Sequence, residues 1–130
     1  MAPPQTIVSA CDIILKLQDF NDTDKINDLR SAITDFIEAQ KTMQRTSIRL
    51  LTRGQREDHQ MQPIVERTNN TKYKETLRSL SGPAKEVFKA VNYQALLETI
   101  IWCLDNKNLQ RLRSTAAKQT WVIMIEHGIV

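Results

Sequence analysis

Three glycines and four prolines in 130 residues leave this chain little material for turns. A β-sandwich or barrel needs a turn roughly every 8–12 residues, rich in those two residue types. The scarcity points to a few long helices. Hydrophobic residues are 41% and charged residues 25% of the chain, the balance of one globular domain long enough to bury its own core. The reading is an all-α, single-domain irregular bundle of about five helices over residues 1–130, with a long second helix.

Apolar spacing places the helices. Ile7, Val8, Cys11, Ile14, Leu15 and Phe20 mark a first helix over about Gln5–Asp19. Asn21-Asp22-Thr23-Asp24 breaks it and offers caps for the next. The second helix reads from Thr23 to Arg53, with Ile26, Leu29, Ile33, Phe36, Ile37, Gln40, Ile48 and Leu51 on one side and Gly54 as its stop. Gln40, Gln44 and Ser47 weaken its inner face and admit a kink near residues 40–44.

Residues 54–69 are a polar stretch that Pro63 keeps from being one helix, and they are expected to form a mobile loop with a short turn burying Ile64 and Val65. A third helix starts near Asn70, with Tyr73, Leu77 and Leu80 on one face. Ser81-Gly82-Pro83 ends it and starts the fourth, which runs through Val87, Phe88 and Val91 to Leu104, with a break admitted at Asn92. Its second part, from Ala95 to Leu104, is apolar over most of its circumference and reads as the central core helix. Asp105-Asn106 caps a last helix over Lys107–His127, and Gly128 closes it.

Charge is segregated along the chain. Residues 1–40 carry seven acids and three bases, net −4; residues 41–89 carry eleven bases and five acids, net +6. Lys41, Arg45, Arg49 and Arg53 follow one another at four-residue spacing, with Arg56 just beyond. On a helix that spacing stacks the side chains into a ridge, opposite the apolar stripe. Helix dipoles favour bases only in the last turn, so Lys41 and Arg45 need another reason. A phosphate-bearing polyanion, RNA above all, is the partner such a ridge suits, because arginine forks grip phosphate bidentately. Lys72, Lys74 and Arg78 extend the patch if the third helix lies alongside. Tyr73 is the one aromatic placed to stack on a base, so backbone contact is favoured over base readout. The competing readings are a solvated helix face, pairing with the acidic N-terminal third within the chain or between copies, and a surface for a protein partner.

The C-terminal helix carries a second signal. Trp121, Val122, Ile123, Met124 and Ile125 make its last turns apolar on all sides. Insertion between two other helices explains this. A protein-partner or self-association surface at Trp121, Met124 and Ile125 is the sharper alternative, and it would make the chain an adaptor or a homo-oligomer.

Catalytic motifs do not emerge. Three scattered glycines build no phosphate loop, and Cys11, His59, Cys103 and His127 lack the short spacing of a metal site. Glu57-Asp58-His59 is the one local cluster suited to proton transfer, and it falls in the polar loop. Two cysteines read as buried free thiols. The expectation is a binding module rather than an enzyme, with no cofactor. No stretch is apolar enough to span a membrane and no secretory leader is seen, so a cytoplasmic protein, or one nuclear by diffusion, is expected.

Overall fold

A computed structural model describes residues 5–57 and 62–128, apart from the side chains of residues 56 and 57. These residues form six helices: α1 (Gln5–Lys16), α2 (Thr23–Arg49), α3 (Arg53–Glu57), α4 (Asn70–Arg78), α5 (Gly82–Asn106) and α6 (Leu109–Glu126). No strand occurs among the described residues, and the all-α bundle is as the sequence implies.

Short polar side chains set most of the starts. Asp22, Asn69 and Asn108 each accept a hydrogen bond from the backbone N–H three residues on, satisfying a donor that the first helical turn leaves open. The Asp105-Asn106 cap expected for the last helix is therefore one turn too early. Those residues still belong to α5, whose end is made by Lys107 at φ 55°, with the Asn108 N–H returning to the Cys103 carbonyl. At the start of α5, Gly82 takes φ 59°, a conformation that costs glycine least, and Pro83 follows in the first turn.

Two expected interruptions are absent, and one unexpected one is present. α2 passes through residues 40–44 without a break, and α5 passes through Asn92. α2 instead stops at Arg49, and Gly54 lies inside the next helix rather than ending this one. The cause is a reciprocal capping box. The Gln55 N–H donates to Thr52 Oγ1 at 3.2 Å, and the Thr52 N–H donates to Gln55 Oε1 at 3.0 Å. Thr52-Arg53-Gly54-Gln55 thus starts α3, which accounts for the sixth helix.

α5 is the central element. α2 and α6 pack along it, α1 covers α6 and α2, and α4 rests on α5 and α6. Phe88, Leu96, Leu97 and Ile100 of α5 are fully buried with Ile7 and Ile14 of α1, Ile33 of α2, and Leu112 and Ile123 of α6. Surface polar ties supplement this core. Arg30 grips Asp105 through Nε at 2.8 Å and Nη2 at 3.3 Å, and the Arg113 guanidinium donates to the Leu17 carbonyl.

Asn92 has a role that a helix break would not give it. Fully buried, its Oδ1 accepts from the N–H groups of Ile64 (2.8 Å) and Val65 (3.0 Å), and its Nδ2 donates to the Phe88 carbonyl. Asn92 thereby fixes the turn after Pro63 against α5 and buries Val65, as the sequence pattern suggested. Residues 62–69 are anchored in this way, and the Glu66 carboxylate accepts from the Thr99 hydroxyl. The stretch expected to be one mobile loop is thus partly built structure.

A second, smaller cluster lies at one end of the bundle. Leu51, Ala84 and Val87 are buried together, with Leu80 and Val91 packed on them. It joins the segment after α2, the end of α4 and the first turns of α5.

Candidate functional site

The small cluster at the bundle end decides where the basic residues meet. Leu51 lies between Arg49 and Arg53, Leu80 two residues after Arg78, and Ala84 next to Lys85. Burying Leu51, Leu80 and Ala84 against one another brings these four cations to one end of the molecule. Arg45, Arg49, Arg53 and Arg78 are exposed there, while Lys85 is half-buried. The ridge is not the single straight row that the spacing implied, because α2 ends at Arg49 and Arg53 begins α3. Lys41 is half-buried and lies 3.4 Å from Glu38, so its charge is already partly matched. The Arg56 side chain falls outside the described residues.

α4 rests on α5 and α6 rather than lying beside α2, so only its last turn, with Arg78, reaches the basic end through Leu80. Lys72 is exposed and Lys74 half-buried on the earlier turns. Tyr73 is not available to a base. It is buried, its ring stacks on Phe88 with centroids 5.4 Å apart, and its hydroxyl donates to Glu126 Oε1 at 2.8 Å. The i, i+4 pattern with Leu77 marks Tyr73 as an inward residue, so the helical stripe was the better guide to it.

The C-terminal surface is narrower than its composition suggests. Trp121 is 42% exposed, Met124 is half-buried and Ile125 is buried. Burial all round does not hold at Trp121, and Ile125 faces the core and is not placed for a partner. α6 turns Val122, Ile123 and Ile125 inward, leaving Trp121 on the outer side.

Groups suited to nucleophilic or acid–base chemistry are held in check by their surroundings. Both cysteines are buried free thiols; burial pushes Cys11 up to about 11 and raises Cys103 as well, which keeps each thiol protonated and unreactive. Asp58 and His59 lie outside the described residues, as does the Glu57 side chain. Among the described residues no group of three His, Cys, Asp or Glu is placed to hold a metal ion. No described helix is long and apolar enough to cross a membrane.

One concave feature escaped the sequence pattern. A cavity of about 340 Å³ opens between α2, α5 and the end of α6. Phe36 and Tyr93 form an aromatic wall, their ring centroids 5.6 Å apart, and Glu126 and His127 close one side. Burial pushes Glu126 up to about 8, the Tyr73 hydrogen bond pulling the other way. Tyr93 is raised as well, first by burial and then by the charge of Glu126. Residues 36, 93 and 126 are far apart in the chain, and no local spacing could have joined them.

No protein-family model, curated protein or solved structure matches this chain.

Proposed function

We propose that this chain is a non-enzymatic helical module that binds RNA through its phosphate backbone, using the basic end of the bundle. The observation that carries the reading is the convergence of Arg45, Arg49, Arg53 and Arg78, from three helices, around the Leu51–Leu80–Ala84 contact. Arginine predominates, and its planar fork suits phosphate better than the point charge of lysine. With Tyr73 buried, no aromatic among these residues offers a stacking platform. The interaction is one of charge and backbone shape rather than base identity.

The test is fluorescence anisotropy of labelled duplex and single-stranded RNA across a salt series. Four phosphate contacts give a log–log salt slope of roughly −3.6 for the duplex. Arg45→Glu with Arg49→Glu reverses two exposed charges, so it should lower affinity at least tenfold and flatten the slope by about 2 while the chain stays folded, as far-UV circular dichroism checks. Binding by the double variant equal to the parent's would sink the reading.

A second reading is favoured by the exposure of Trp121: contact with another protein, or another copy, through the outer side of α6. Light scattering separates the two, since a dimer that dissociates in Trp121→Ala supports this surface and leaves RNA affinity untouched.

A further inference from the structure

The cavity between α2, α5 and the end of α6 stands apart from the basic end, and its chemistry points to a different kind of ligand. Phe36, Met43, Ala90 and the Tyr93 ring supply apolar and aromatic wall. The Tyr93 ring lines the cavity, while its hydroxyl is buried with no hydrogen-bond partner among the described residues. The charged groups facing Glu126 are few. Glu86 and Lys89 of α5 pair with each other at 3.5 Å and contribute little net charge. α4 contributes the neutral phenol of Tyr73, α2 contributes Gln40 and Ser47 but no titratable group, and His127 adjoins Glu126. With Glu86 matched by Lys89, the Glu126 carboxyl remains beside two aromatic rings, an arrangement that stabilises a single positive charge. A volume near 340 Å³ is at the small end of ligand sites.

We propose that this cavity binds a small organic monocation, an alkylammonium whose charged end meets Glu126 and whose chain lies along Phe36 and Tyr93. The ammonium N–H groups donate to the Glu126 carboxylate. An uncharged cavity ligand would leave Glu126 holding its proton; a cation requires that the proton leave. Affinity therefore follows the ionised fraction of Glu126, rising about tenfold per pH unit from pH 6 to pH 8 and levelling above.

The experiment is isothermal titration of the full chain with n-hexylammonium, n-hexanol and hexanoate between pH 6 and 9. At pH 8 hexylammonium should bind at least tenfold tighter than hexanol, with hexanoate weakest, and that advantage should shrink with falling pH. Glu126→Gln should erase both the preference and its pH dependence. Equal binding of hexylammonium and hexanol at pH 8, no binding of either, or a slope that survives in Glu126→Gln would overturn the proposal. The comparison of ligands in the parent chain decides the matter even where the glutamine variant fails to fold. Lysine blocked at both backbone ends separates the sources: tighter binding than hexylammonium assigns the site to a protein's lysine, weaker binding to a free amine.

Discussion

Over residues 23–37, α2 buries Leu29, Ile33 and Ile37 against the core, and Arg30 ties it to the end of α5. Over residues 38–49 the same helix has no fully buried residue, and only Gln40, Lys41, Gln44 and Ser47 are half-buried. Met43 is 62% exposed, and Arg45 and Arg49 face solvent. One hydrogen-bond ladder runs through both parts, so the difference lies in what holds each part helical. The first part is held by burial. The second is held by residues of good intrinsic propensity, Glu38, Ala39, Gln40, Lys41, Met43, Gln44 and Arg45, continuing a helix already nucleated below. A helix segment that the core does not need can carry a surface chosen for another purpose, which is why the cations gather there and not on the first four turns.

The largest effect should come from the packed part. Ile33→Ala removes a fully buried side chain at the α2–α5 contact and should cost about 3–4 kcal/mol, read as a shift in urea midpoint at constant slope. A loss below about 1 kcal/mol would mean that α2 is not anchored by this stripe. Next comes the anchor of the 62–69 segment. Asn92→Ala strips the Ile64 and Val65 N–H groups of their acceptor and should cost about 2–3 kcal/mol. Amide exchange at Ile64 and Val65 should rise to the rate set by global unfolding or faster, while Ile33 keeps its protection relative to the variant's own stability.

Leu51→Ala tests the contact just beyond the exposed part of α2. Its cluster is small, so the expected cost is about 2 kcal/mol, at the low end for a buried leucine. The informative readout is RNA affinity. If the Leu51 contact is what gathers Arg49, Arg53 and Arg78, loosening it should weaken binding several-fold although no charge has changed. Unaltered affinity in the folded variant would mean the cations work without being gathered.

How far the sequence revealed all this depends on the range of each signal. Helix existence follows from spacing within a window of a few turns, and every long helix was visible that way. Boundaries turned on single residues that have more than one role. Gly54 reads as a stop, but Thr52 and Gln55 cap each other around it, a four-residue signal present in the sequence and outweighed by the glycine. Asn92 reads as a breaker because free asparagine competes for backbone. Here its side chain is occupied by Ile64 and Val65, 28 and 27 residues away, so the helix continues. Trp121 and Ile125 look alike in an apolar run, and only the packing of α6 on α5 and α1 separates the outer residue from the inner one. Basic residues were identifiable singly, whereas their convergence depends on the Leu51–Leu80 contact between separate elements. The Tyr73–Glu126 bond joins residues 53 positions apart and leaves no local trace.

The smallest predicted effect is the one that most sharpens the contrast within α2. Met43→Ala exchanges an exposed side chain for the best helix former, so stability should move by less than about 0.5 kcal/mol in either direction. The same substitution at a core position such as Ile33 should cost several times more, although both sites lie on one continuous helix. RNA affinity should also be unchanged, since Met43 carries no charge. Hexylammonium affinity should fall, because Met43 forms part of the wall along which the alkyl chain lies. A large loss of stability at Met43 would mean that the second part of α2 is held by packing after all, and the account of why its surface is available to a ligand would have to be abandoned.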